Sequence, residues 1–334
     1  MEARLIDYVD VYDINNSLNY VLIPNGIINF SVVKAPLIST SNNTIRRRWL
    51  MKEEFFKQVD LFYRTNQTYA PNFNLDIFLN NYATLKIKII DDRFAVSIDS
   101  HAVYEVNSNQ IFVRVKSRSL PHELYHVSTS IIREGRGYSG FSQINYLTGQ
   151  TFGDQINEGY TSLMTERYFG RKDHYFIQKS IMKIIEDIVG QEKTENLFST
   201  ADLWGLLNEL KKKNLYNLFV KLIADLDSSI HFKDVHKGIE SLEELQKYNI
   251  PCGDNIREVY NGIIQIVFSD LNNKIKQGLL SSEKAREIFQ SYINDLNQSF
   301  DKGWFKNEKK DFLSNIITFD DFVNENAGIN TIRQ

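Results

Sequence analysis

The stretch Ser119-Leu120-Pro121-His122-Glu123-Leu124-Tyr125-His126-Val127 decides how the rest of the chain is read. Residues 122–126 spell H-E-x-x-H. Proline is tolerated only in the first helical turn, so Pro121 predicts a helix that begins at about Ser119. On that helix His122 and His126 share a face, about 40° apart around the axis. Two imidazoles so placed can hold one Zn²⁺, and Glu123 can reach the metal's water and take its proton. His122 then stands near the positive end of the helix, a mildly unfavourable place for a cation. Leu120, Leu124, Val127 and Ile131 recur at spacings of four, three and four and form an apolar stripe on the opposite side. One face is therefore expected in a core and the histidines in a cleft.

With six His and 20 Glu in 334 residues, chance produces this pentapeptide in roughly 0.6% of such chains. The competing reading is a helix that carries two histidines by coincidence. The context weighs against it, because a hydrolytic zinc site needs a third protein ligand and leaves one position open. Downstream lies Ile156-Asn157-Glu158-Gly159-Tyr160-Thr161-Ser162-Leu163-Met164-Thr165. Read as a helix, Glu158 shares a face with Thr161, Ser162 and Thr165, while Ile156, Tyr160 and Leu163 lie opposite. A glutamate among small hydroxyl residues, without Lys or Arg partners, suits a ligand better than a solvated carboxylate.

A histidine-pair helix followed by Asn-Glu on a second helix resembles the gluzincin zinc metallopeptidases. The fuller text, Asn157-Glu158-Gly159-Tyr160-Thr161 with Thr165, is similar to a group of largely uncharacterised bacterial proteins with H-E-L-x-H and N-E-G-x-T-E motifs. The resemblance spans residues 85 to 170 or so. It implies His122, His126 and Glu158 as zinc ligands, Glu123 as general base, and a peptide or protein as substrate. Two departures stand out. Ser162 occupies the place of an acidic residue that braces a zinc-bound histidine, with Asp154 or Glu166 as substitutes. Pro121 directly precedes the first ligand. Ser162 also motivates a rival, a degenerate protein of zincin fold kept for binding or structure. The donor to the tetrahedral intermediate is open among Tyr138, Tyr146, Arg136, Tyr168 and His174.

Composition sets the frame. Lys+Arg number 39 against 42 Asp+Glu, a net charge of −3, with 42% hydrophobic residues. That is globular composition, without the basic excess of a nucleic-acid or membrane-surface binder. The single cysteine, Cys252, excludes an intrachain disulfide and a cysteine zinc site. No basic-then-apolar leader follows Met1 and no run of ~20 apolar residues occurs, so a cytoplasmic protein is expected.

The expected fold is α+β. A zincin-like catalytic region over residues 46–170 has a small sheet packed on the motif helix. Residues 1–45 form an N-terminal segment of unclear structure, and 171–334 a helical C-terminal subdomain. Helical spacing runs from Arg46-Arg47-Arg48 through Tyr63 and from Leu75 to Tyr82. Period-two alternation marks strands at Leu85–Ile89, Phe94–Ile98 and Ile111–Val115, with Tyr104-Glu105-Val106 as part of the second or a fourth. Six of 16 glycines fall between Gly135 and Gly159, which predicts a hairpin or extended loop able to wall the cleft. Amphipathic helices are expected over 175–189, 203–210, 215–226, 256–271 and 282–300, the last opened by Ser281. Arg46-Arg47-Arg48 and Lys211-Lys212-Lys213 read as ordinary charges. His101, His231 and His236 read as turn or surface residues, and Cys252 as a thiol in a turn.

Overall fold

The structure is a computed structural model that describes residues 42–90, 102–114, 119–171, 175–235, 252–303 and 319. In chain order the elements are α1 (Asn42–Tyr69), α2 (Leu75–Ala83), β1 (Lys86–Ile90), β2 (Ala102–Glu105), β3 (Gln110–Arg114) and α3 (Leu120–Thr129). Then come β4 (Ser130–Arg133), β5 (Arg136–Ser139), β6 (Ser142–Asn145), β7 (Thr151–Phe152) and α4 (Asp154–Phe169). The rest is helical: α5 (Phe176–Val189), α6 (Gln191–Ser199), α7 (Leu203–Lys212), α8 (Tyr216–Val235), α9 (Cys252–Lys276) and α10 (Ser282–Gly303). The architecture is α+β and mostly helical. No described helix is long and apolar enough to cross a membrane.

Two small sheets flank the motif helix. The first has the order β1-β3-β2, with β1 parallel and β2 antiparallel to β3. Its β2 holds Tyr104 and Glu105. The expected strand at Phe94–Ile98 lies outside the described residues. The second is an antiparallel meander, β4-β5-β6-β7. It is built from the glycine-rich segment, whose turns place Gly135, Gly140 and Gly149 at positive φ, a conformation that glycine adopts without strain. So of the hairpin or extended loop expected from composition, the hairpin is found, extended to a four-stranded antiparallel sheet.

The motif helix departs from the expected amphipathic design. α3 ends at Thr129, so Ile131 belongs to β4, and all ten helix residues are buried. A helix buried on every side must satisfy its last carbonyls internally. Here hydroxyls and one amide do so. The side chains of Ser128 and Thr129 donate to the Tyr125 carbonyl (2.8 and 3.0 Å), and Ser130 donates to that of His126 (2.6 Å). From α2, Asn81 Nδ2 donates to the Val127 and Ser130 carbonyls at 2.7 Å each. Cleft and core are therefore not divided by helix faces.

Packing around α3 is aromatic. Phe62 of α1 meets Tyr125 at 4.9 Å and stacks on Phe169 of α4 at 5.6 Å between ring centroids. The Tyr125 hydroxyl donates to Asn66 Oδ1 at 2.8 Å. On the other side Phe141, Tyr160 and Phe198 form a second trio, with Tyr160 and Phe198 at 4.9 Å. These join one continuous buried cluster that runs from Phe55 to Phe319. Burial on this scale is the main stabilising contribution in a domain of such size.

Among the later helices, the expected cores of α5, α7, α8, α9 and α10 all lie within the helices observed. Ser281 Oγ accepts from the Lys284 amide (3.2 Å), which is the helix start read from the sequence. Helix α6 was not expected, because its text, Gln191-Glu192-Lys193-Thr194-Glu195, shows a polar face and few apolar repeats. Cys252 is a further correction: it opens α9 rather than sitting in a turn. The glycine beside it, Gly253, lies in the first turn of that helix.

Candidate metal centre

The three residues that sequence spacing selected come together. His122 and His126 project from α3, and Glu158 from the second turn of α4. His122 Nε2 donates to Glu158 Oε2 at 2.9 Å, and His126 Nε2 lies 3.2 Å from Glu158 Oε1. One donor atom from each residue falls within 4.8 Å of the others, close enough to hold a metal ion. Ligand atoms around a tetrahedral zinc with bonds of ~2.0–2.1 Å stand about 3.3 Å apart. The two histidine–Glu158 spacings are close to that value, and the donor set of two imidazoles and a carboxylate suits a borderline divalent cation. Both imidazoles are buried and the Glu158 side chain is 21% exposed.

The electrostatics agree. Burial alone would push the Glu158 carboxyl up, but His126 and His122 hold it well below the usual carboxylate range. Glu158 is therefore an anion, ready to serve as ligand. Glu123 shows the opposite balance. Burial raises its carboxyl, His122 and His126 lower it, Glu158 raises it again, and the backbone N–H of Tyr104 on β2 donates to it. The net shift is upward, which makes Glu123 a stronger base than a solvated glutamate.

Each ligand is held by neighbours. Asn157 Oδ1 accepts from the Phe141 N–H (3.1 Å), which turns its NH₂ toward His126 Nδ1 at 3.3 Å. A side chain on Gly140 would collide with that same Asn157 Oδ1 and with the Phe198 ring. The Tyr175 ring stacks on His122 at 5.4 Å and 15°. Gly159, next to Glu158, lets α4 lie directly on the Gln178 backbone of α5.

The first turn of α4 is fixed from far away in sequence. Gly153 enters the helix at φ 82° and supplies no capping side chain. Asp227 of α8 takes that role. It accepts from the Gly153 N–H at 2.7 Å and the Gln155 N–H at 3.0 Å. An acidic cap there satisfies orphan amides and favours the helix dipole. We expect Asp227→Ala to cost about 1–2 kcal/mol in urea unfolding and to weaken zinc binding measured by chelator competition. Unchanged stability and affinity would remove Asp227 from the site's support.

The cleft beside the centre has a volume of about 350 Å³. Its walls are β2 and the turn after it (Ala102–Asn107), Ser139, Ser142 and Ile144 of the glycine-rich sheet, and Asp154, Asn157 and Glu158 of α4, with Glu123, His126 and Tyr175. The glycine-rich segment therefore does wall the cleft. Of the five residues considered for the tetrahedral intermediate, none among those described lines it. Tyr168 instead donates to Glu195 (3.0 Å), Arg136 is exposed on β5, and His174 lies outside the described residues. Of the two substitutes for the acid absent at Ser162, Glu166 pairs with Lys179 at 2.5 Å, whereas Asp154 faces the cleft near His126. Sequence reading missed Asp227, Tyr175 and the place of Asn157 beside His126. The Asn-Glu pair was the only local sign of the last, and no spacing rule links residue 227 to residue 153. The sequence matches no protein-family model, no curated protein and no solved structure.

Proposed function

We propose that the protein is a zinc-dependent metallopeptidase of gluzincin type that hydrolyses peptide bonds with Glu123 as general base. The observation that carries this reading is the pairing of a three-ligand cage with a base. His122, His126 and Glu158 converge within 4.8 Å, and the buried Glu123 lines the same open cleft. A purely structural zinc site is closed by four protein ligands. Here three are found among the described residues, and two of them, His126 and Glu158, line the cleft.

Zinc bound there would supply Lewis-acid polarisation of the scissile carbonyl and of the attacking water. The chain's own residues do the rest. Glu123 Oε accepts the water's proton and returns it to the leaving amine nitrogen, and its raised basicity favours the first transfer. The Tyr104 N–H aims that carboxylate. The Tyr175 ring packs on His122 and holds that imidazole in place, as outer partners of metal ligands do. β2 pairs with β3 alone among the described strands. Its residues Ala102–Glu105 line the cleft, where an extended peptide can lie along them.

The test is removal and return of metal. Dialysis against a chelator should abolish hydrolysis of a quenched-fluorescent peptide library, and one equivalent of zinc should restore it. Zinc-loaded protein that binds peptides but cleaves none would favour the rival reading, a binding module on the same fold.

A further inference from the structure

We infer that Asp154 reads a cationic group on the substrate, an ammonium or guanidinium, in the part of the cleft bounded by Ser142 and Ile144. This rests on the hydrolytic reading of the same cleft and adds a substrate class to it.

The Asp154 carboxylate lies one helical turn before Glu158 and on the same face of α4. It lines the cleft and is largely buried. Among the described residues its side chain accepts a hydrogen bond from Ser142 Oγ, to Oδ1 at 3.2 Å. Among the described residues no Lys or Arg pairs with it, although other largely buried acids, Glu186 and Glu195, have an arginine. A buried charge without a partner is costly and is normally either paired or functional. The cost shows in the carboxyl, which burial, then Glu158, then Asp227 raise to about 6, while His126 and the Ser142 bond oppose the shift.

His126 is engaged with Glu158, so it offers Asp154 no dedicated counter-charge. Asp227 is spent on backbone amides. The described walls of the cleft contain no lysine or arginine at all, while Val103, Val106 and Ile144 give it apolar sides. Apolar walls with acids among them, Glu105 as well as Asp154, fit a group that is aliphatic along its stem and charged at its tip. A lysine or arginine side chain has that shape. A free α-amino terminus shares the charge without the stem.

The experiment uses the full chain carrying Glu123→Gln, loaded with zinc, so that peptides bind without being cut. Fluorescein-labelled hexapeptides that differ at one position in Lys, norleucine or Glu are titrated by anisotropy, each with a free and an acetylated amino terminus. Lysine should bind at least tenfold more tightly than norleucine at one position, and glutamate more weakly than both. A second Asp154→Asn change should bring the lysine advantage below twofold. If only the free amino terminus gains affinity, the α-amine is the group read. Equal binding of lysine and norleucine peptides with Asp154 in place overturns the inference, and needs no further variant to do so. Hydrolysis of neutral peptides without preference would also overturn it while leaving the peptidase reading intact. An Asp154-dependent lysine preference in a protein whose Glu123 form cleaves nothing would keep this subsite and end the peptidase reading.

Discussion

Glu123→Gln should lower peptide hydrolysis by about 10²–10⁴-fold and leave bound zinc unchanged. The amide keeps the size of the carboxylate but cannot take a proton. Glu123 is not one of the three convergent donors, so the cage survives its loss. The protein is checked by elemental analysis and by initial rates on the same peptide library. A variant that cleaves as fast as the parent would remove Glu123 from the chemistry. A variant that loses its zinc would place Glu123 among the ligands instead.

Arg167→Met should destabilise the fold by about 3–5 kcal/mol. Arg167 leaves α4 in its last turn and pairs with Glu186 of α5 at 2.6 Å and Glu195 of α6 at 2.5 Å. Those acids are only 1% and 3% exposed. Tyr160 also donates to Glu186 (2.8 Å), and Tyr168 to Glu195 (3.0 Å). Methionine fills a similar volume but leaves the buried Glu195 without a cation and Glu186 with only the more distant Lys183 at 3.6 Å, which is costlier than never having the pair. Urea unfolding gives the number through the midpoint at constant slope. A loss below about 1 kcal/mol would show that the two acids reach water or protonate cheaply. Because α4 also carries Glu158, the same variant should loosen zinc binding.

The ligands were legible because their chemistry is local. His122 and His126 stand one helical turn apart, and Glu158 sits beside an asparagine on a second predicted helix. Helix and strand periods also located most elements, since α5 and α7 alternate apolar and polar residues at the spacing a half-buried helix requires. What failed had non-local causes. The stripe on α3 suggested one buried face, but α1, α2, α4 and both sheets enclose the helix, and Ser128, Thr129, Ser130 and Asn81 absorb its carbonyls. The glycines of 135–153 signalled turns without revealing that they order a four-stranded sheet. Asp227 caps α4 across 74 residues of chain, a separation at which composition and spacing carry no signal. Tyr175 looked like the start of a helix and is also the ring against His122.

The central claim is that two imidazole nitrogens and a carboxylate oxygen enclose a single cation. Anomalous diffraction from crystals grown with zinc, recorded on both sides of the zinc edge, tests it most directly. The account predicts one strong peak at about 2.0–2.2 Å from His122 Nε2, His126 Nε2 and a Glu158 oxygen. A Glu158 side chain turned away from the histidines, with no peak between them, would contradict it.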